Sequence, residues 1–293
     1  AGLRATSTVR INPSEVVLSA PTVYLAQAVQ NPEGDVPLVA GRDALLRAFV
    51  TSAPGPAYVR RVAAAFDDGS YTLPGGTEVG SGQRGDLAAM LAAVLFDSEA
   101  REAAMLEDPA FGKLREPVLR FTHWARAFQV NSADTRNERA LRYTGSPELL
   151  GQQPYGSPSV FNFYRPGYIA AGTQTGAARL TAPELQITNA STIIGYANFL
   201  TAYIFESSPK FDRSLAAAFV PDYSPYTALA DDTTALLDNL DLVLTHGTLA
   251  SDTRQRIAQV IGQIDSDRKA DRLLRTQAAI AMIMTSPEYI VLR

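Results

Sequence analysis

The stretch Asp86-Leu87-Ala88-Ala89-Met90-Leu91-Ala92-Ala93-Val94-Leu95 decides the fold class. Leu87, Met90, Leu91, Val94 and Leu95 recur at i, i+3, i+4, i+7 and i+8, the spacing of one apolar face of an α-helix. Asp86 stands at the N-cap position, where a carboxylate can accept from first-turn amides that lack an intrahelical partner. The same period returns on both sides of this helix. Upstream, Tyr58, Val59, Val62 and Phe66 share a face, and Asp67-Asp68-Gly69 closes the run. The polar, Gly-rich stretch from Ser70 to Arg84 reads as a surface loop. Downstream, Ser98-Glu99-Ala100-Arg101 opens a short helix, and Pro117 suits the first turn of one running to about Val130. Thr181-Ala182-Pro183-Glu184 has the form of a capping box and predicts one helix from there to about Phe205. Three more are predicted: Thr233 to His246 closed by Gly247, Ser251 to Ile264, and Asp267 to Thr285 ended by Ser286-Pro287. The predicted core is Leu87, Met90, Leu91, Val94, Leu95, Leu119, Phe128, Ile193, Leu237, Leu240, Leu244, Ile257, Ile261, Leu274 and Ile283.

The first 50 or so residues read differently. Val16-Val17-Leu18 and Thr22-Val23-Tyr24-Leu25 are short, β-branched runs set off by proline, which is strand punctuation. Ala44 to Val50 fits a strand or a short helix, because brief apolar runs are ambiguous by period. The expectation is a β-prone N-terminal segment over 1–52 and a helical domain over 53–293. The fold class predicted is mainly α: a multi-helix orthogonal bundle with long irregular loops, preceded by that segment. With roughly three or more packed strands needed for an independent sheet, the segment is not expected to be integral to the helical core.

Composition removes several function classes. Of 293 residues, 46% are hydrophobic and 19% charged, a globular balance with enough apolar surface for a core. The net charge of −4 disfavours nucleic acid as a partner, since phosphate binding needs a basic face. The absence of cysteine excludes disulfides, a Cys nucleophile and thiolate metal sites. No apolar run approaches the roughly 20 residues a membrane span requires. The opening Ala1-Gly2-Leu3-Arg4 has neither an initiator Met nor a signal-peptide core.

Few residues carry recognisable chemistry. His123 and His246 are the two imidazoles, and neither has a metal-ligand partner four residues on. His246 falls at a predicted helix C-terminus, where a cation is favoured. Arg115 and Glu116 precede Pro117 and form either a structural clamp or an anion-holding site. The loop from Gly145 to Gly172 gathers Gln152, Gln153, Tyr155, Phe161, Asn162, Phe163, Tyr164, Arg165 and Tyr168. Aromatic faces beside amides suit a sugar or a peptide, while Phe161 and Phe163 are expected to pin the loop to the helices. Glu184 opens a predicted helix, and pairing it for hydrolysis would require a second acid nearby in space. No cofactor motif is present. The candidate binding residues are therefore Tyr155, Tyr164, Arg165, Arg115, Glu116 and Glu184, with no catalytic or metal residue singled out.

Residues from about 50 to 293 also resemble the C-terminal part of the bacterial family catalogued as domain of unknown function 1800. The resemblance rests on collinear blocks. They are Pro56-Ala57-Tyr58-Val59-Arg60-Arg61-Val62, Arg84-Gly85-Asp86-Leu87, Lys113-Leu114-Arg115-Glu116-Pro117, Pro158-Ser159-Val160-Phe161-Asn162-Phe163, Ala182-Pro183-Glu184-Leu185-Gln186 and Thr285-Ser286-Pro287-Glu288-Tyr289. The family's N-terminal helical half has no counterpart here, so the chain is expected to be truncated relative to it and fused to an unrelated β-prone piece. The resemblance implies an extracytoplasmic setting, periplasmic or secreted, and a neighbouring sulfatase-like family as partner. It implies no reaction. Two readings stay open: a non-catalytic, partner-binding envelope protein, and a hydrolase or carbohydrate-active protein with its site near the 145–172 loop.

Overall fold

The computed structural model describes residues 24–26, 45–47, 50–108, 110–132, 144–160, 162–205 and 219–293. Its helices are α1 (Pro56–Asp68), α2 (Leu87–Phe96), α3 (Ser98–Arg101), α4 (Pro117–Ala127), α5 (Gln174–Ala177), α6 (Ala190–Ile204), α7 (Ser224–Thr227), α8 (Thr233–Thr245), α9 (Ser251–Ile261), α10 (Lys269–Met284) and α11 (Pro287–Ile290). The described strands are two or three residues long and occur in pairs, so the chain is mainly α. In the N-terminal segment, Tyr24–Ala26 pairs antiparallel with Leu45–Arg47, which resolves the ambiguous run as a strand. The Val16-Val17-Leu18 strand lies outside the described residues. The chain forms two compact units: Ala1–Lys113 with Ala171–Ala182 and Arg293, and Leu114–Ala170 with Pro183–Leu292.

In the first unit, α1 and α2 pack against each other around Tyr58, Val62, Ala65, Met90, Ala93 and Val94. Pro56 opens α1, and Gly69, with φ +66, takes the left-handed turn that ends it. Asp86 caps α2 as the sequence predicts, accepting from the Ala88 and Ala89 amides. The buried face of α2 differs from the predicted stripe. Ala89, Met90, Ala92, Ala93 and Val94 are buried, while Leu87, Leu91 and Leu95 are only partly so. The helix is apolar on every side, so spacing alone does not select a face. Alanines share the buried face with Met90 and Val94, while Leu87 and Leu95 pack against the same core from its edge. The predicted loop from Ser70 to Arg84 holds a hairpin, with Ser70–Thr72 antiparallel to Glu78–Gly80. Its Pro74-Gly75-Gly76 turn supplies the reversal that composition registered only as loop. Asp97 is buried and receives both Nε and Nη2 of Arg61 at 2.6 and 2.7 Å.

The second unit is built on a larger core. Phe121 stacks on Trp124 at 5.3 Å and meets Phe199 and Tyr203 edge-on at 5.0 Å each. Leu236, Leu237, Leu240, Leu244, Ile257, Ile261, Ile280 and Ile283 complete it. The polar tips of the buried aromatics find partners: Trp124 Nε1 donates to Tyr223 Oη at 2.9 Å, and Tyr196 Oη to the Met284 carbonyl at 3.0 Å.

Three predicted core residues, Leu119, Ile193 and Leu274, are exposed at 44%, 57% and 45%. In each case a polar or small neighbour takes the inward face. Arg120 is buried beside Phe121 and donates to the Arg115 carbonyl at 2.7 Å. Gly195 and Tyr196 turn inward in place of Ile193 and Ile194. Arg275 and Gln277 are buried with their donors satisfied by backbone carbonyls, of Ile264 at 3.0 Å, Ala230 at 2.8 Å and Ile204 at 2.9 Å. The predicted helix from Thr181 to Phe205 is also two elements. Pro183–Ile187 is a 3-10 turn, and α6 starts afresh at Asn189. The true capping box is Asn189 with Thr192: each side chain bonds the other's backbone amide, at 3.1 and 2.9 Å. Helices α4, α9 and α10 are each shorter than predicted by about three residues; Gln129, with φ +46, follows α4, and single turns continue past α9.

Candidate functional site

Glu116 is the N-cap residue of α4, in extended backbone, with Pro117 at the first helical position. The preceding amide, of Arg115, donates to the Ile290 carbonyl at 2.7 Å. Adjacent residues of an extended segment point to opposite sides, and here they serve different neighbours. Glu116 faces the long loop. Its Oε1 accepts from Tyr164 Oη at 2.5 Å and its Oε2 from Gln152 Nε2 at 2.8 Å. Gln152 is buried, and its Oε1 accepts from the Val118 amide at 3.2 Å. One amide side chain thus both caps α4 and holds the carboxylate that would otherwise be half-desolvated beside it. Thr144 Oγ1 donates to the Gln152 carbonyl and ties the start of the loop to it.

Two more contacts seat the loop. Gly195 in α6 carries the backbone of residues 147 and 148: a Cβ there would fall 2.2 Å from the Pro147 carbonyl oxygen. Further along, the Arg165 amide donates to Gln186 Oε1 at 2.7 Å. The clamps are mainly polar: Glu116 holds the Gln152 and Tyr164 side chains, while Thr144, Gly195 and Gln186 meet loop backbone. Phe163 is only partly buried, and Phe161, the other expected anchor, lies outside the described residues. Facing solvent from this held loop are Tyr155, which has left-handed backbone and a fully exposed ring, together with Val160, Arg165 and Ile169.

Arg115 points into the unit. The residue is 5% exposed, and its guanidinium lies 4.3 Å above the Tyr289 ring and donates through Nη1 to His123 Nδ1 at 2.8 Å. Its partners are a ring and an imidazole rather than a carboxylate. Arg120 does likewise, lying 4.7 Å above the Tyr196 ring. Burial next to these cations governs the local titrations. His123 is pushed down to about 4 by desolvation and then by Arg115 and His246. His246 is also lowered, by burial and Arg115, so the cation expected at the C-terminus of α8 is disfavoured there. Burial pushes Tyr289 up to about 12. The rings form a column, with Tyr289 and His123 centred 5.6 Å apart and His123 and His246 6.2 Å apart.

Of the six candidate residues, the structure joins Glu116 and Tyr164 directly, and Arg115 is the chain neighbour of Glu116 with its side chain turned away. Arg165 reaches Gln186 through its backbone, Glu184 is buried in the 3-10 turn, and Tyr155 stands apart in solvent. Gln152, the residue that ties the loop to α4, is in the sequence one polar group among several. Its signal is the distance between it and Glu116, 36 residues in sequence, which no local pattern reports. A cleft of about 690 Å3 in the first unit is lined by Pro54, Arg61, Glu99, Met105, Phe111 and Arg179 among others. A hollow of about 340 Å3 in the second is lined by Ser224, Thr227, Ala228, Asp267, Lys269 and Arg272. Neither contains any of the six. Among the described residues there is no group of three or more His, Asp or Glu side chains placed to hold a metal ion, and no helix long and apolar enough to cross a membrane.

Residues 42–291 match the family model described as "Protein of unknown function (DUF1800)", and the chain belongs to that family. No curated protein and no solved structure shows significant similarity to it.

Proposed function

We propose that this chain is a non-catalytic, partner-binding component whose docking surface is the loop from Gly145 to Gly172. The observation that carries the reading is the contrast between how that loop is held and what it presents. Glu116 holds its Tyr164 and Gln152 side chains, Gln152 ties it to the Val118 amide, and Gly195 and Gln186 meet its backbone. Tyr155, Val160, Arg165 and Ile169 are left on the outside. Tyrosine and arginine dominate binding energy at protein interfaces, and a surface ordered beforehand loses less entropy on association. Arg115, Glu116 and Glu184 act here as supports, while Tyr155 and Arg165 make the contacts. An extracytoplasmic setting and a sulfatase-like partner, both implied by the family resemblance, belong to this reading.

The test is a titration calorimetry experiment with the sulfatase-like neighbour protein. The double variant Tyr155→Ala/Arg165→Ala should weaken binding at least tenfold, about 1.4 kcal/mol, with an unchanged melting temperature. Undiminished binding by that variant would remove the loop as the docking surface. The second reading, carbohydrate binding, is favoured by one feature: the free ring of Tyr155 offers the flat face on which a sugar stacks. A glycan array separates the two, since a protein-docking surface retains no sugar on it.

A further inference from the structure

We propose that His123 is an acid-operated latch on the 145–172 loop: protonation of its Nδ1 expels the Arg115 guanidinium and, through the adjoining Glu116, loosens the loop. The geometry of one hydrogen bond carries the argument. Arginine is a donor only, so the 2.8 Å contact from Arg115 Nη1 requires His123 Nδ1 to be an unprotonated acceptor. With Nδ1 an acceptor, the neutral ring carries its proton on Nε2, and the backbone at Val243 only partly offsets the groups that disfavour the charged form. His123 therefore has one titratable position, and a proton there places two donors against each other at hydrogen-bond distance.

The surroundings give the imidazolium nowhere to go. The groups that weigh on His123 are Arg115 from the segment before α4, Arg126 on its own helix, His246 from the end of α8 and the Tyr289 phenol of α11. Three of these are cations or become cations on acidification, and Tyr289 stays neutral throughout. Arg115 has no easy retreat either. It is 5% exposed and already sandwiched on the Tyr289 ring, and its amide is bonded to Ile290. Movement of its side chain is transmitted along the backbone to the next residue, Glu116, whose carboxylate holds both Gln152 and Tyr164.

The sign is that of a group depressed in the folded state. The stabilisation is complete above the ordinary imidazole value of about 6.5 and is lost as pH falls toward about 4. If the loop surface docks a partner, docking is acid-sensitive over that window. This last step rests on the function proposed above, whereas the latch does not.

The experiment has two readouts on the full chain. Proton NMR follows the imidazole signals from pH 7 to 3.5. There are only two histidines, and His246→Gln assigns them. Hydrogen exchange, corrected for its intrinsic pH dependence, follows peptides covering 144–170 with the α9 peptide as control. The expected result is a His123 midpoint near 4. Loop exchange between pH 6 and pH 4 should rise on the order of tenfold, as linkage to a group shifted this far allows. His123→Gln keeps an acceptor for Arg115 without a titrating proton, and its loop exchange should stay flat. A His123 midpoint near the ordinary value, or an equal rise in His123→Gln, overturns the latch. A loop that loosens on cue while the Tyr155/Arg165 double variant binds its partner normally keeps the latch and discards the docking reading.

Discussion

Replacing Gly195 with alanine tests whether the long loop is seated as the structure shows. Gly195 lies in the middle of α6, where glycine costs about 1 kcal/mol relative to alanine. On helix propensity alone the substitution should therefore stabilise the protein. The structure predicts the opposite. An added Cβ would stand 2.2 Å from the Pro147 carbonyl oxygen, 2.7 Å from the Glu148 carbonyl carbon and 2.9 Å from its Cα. All three are backbone atoms, which cannot swing aside as a side-chain tip can. Relief requires the 146–151 segment to lift by more than an ångström, which pulls Gln152 from Val118 and Glu116. Overpacking of this kind costs about 1–3 kcal/mol, more if the polar clamps break. Against the propensity gain of about 1 kcal/mol, the net expectation is a loss of up to about 2 kcal/mol. For a unit of this size that corresponds to a fall in Tm of up to roughly 8 °C. Urea unfolding followed by the fluorescence of Trp124, the only tryptophan, measures it within the unit concerned. A variant more stable than the parent by about 0.5–1 kcal/mol would falsify the seating of the loop on α6.

Three further outcomes follow from particular contacts. Leu240→Ala, at a fully buried position, should cost about 2–5 kcal/mol, whereas Leu119→Ala should change stability by less than about 0.5 kcal/mol; chemical denaturation of both decides whether α4 turns Arg120 rather than Leu119 inward. Tyr164→Phe removes the hydroxyl from Glu116 and should cost about 1 kcal/mol with faster hydrogen exchange in the loop; an unchanged exchange pattern would show that Gln152 alone is sufficient. Asp97 is held below the usual carboxylate range: burial alone would raise it, and the Arg61 guanidinium and the Glu99 amide outweigh that. Its contribution is present above about pH 3.9 and lost as pH falls below it, so exchange in the α1 and α2 peptides should accelerate there in the parent and change little with pH in Asp97→Asn.

Helix positions were legible in the sequence wherever a local device marks them. Asp86, Pro117 and Gly247 end or begin helices through chemistry confined to a turn, and those boundaries agree with the structure to within a few residues. The errors share one cause. In α2, α4, α6 and α10 the face that turns inward depends on what the neighbouring element supplies. Arg120, Arg275 and Gln277 can be buried because backbone carbonyls elsewhere in the chain accept from their donors. The break at Asn189 was hidden because Thr181-Ala182-Pro183-Glu184 imitates a capping box eight residues early.

The candidate site divides in the same way. Sequence by itself determined the residue types: a loop rich in Tyr, Arg, Gln and Pro, an Arg-Glu-Pro helix start, two unpaired histidines and a family. Those depend on composition and on order along the chain. Tertiary structure alone decided what each residue does. It turned Glu116 toward Gln152 and Tyr164, and Arg115 toward His123 and Tyr289. Partners separated by 36, 48 and 174 positions in the chain meet only when helices pack, and their hydrogen bonds leave no periodic trace in the sequence that encodes them.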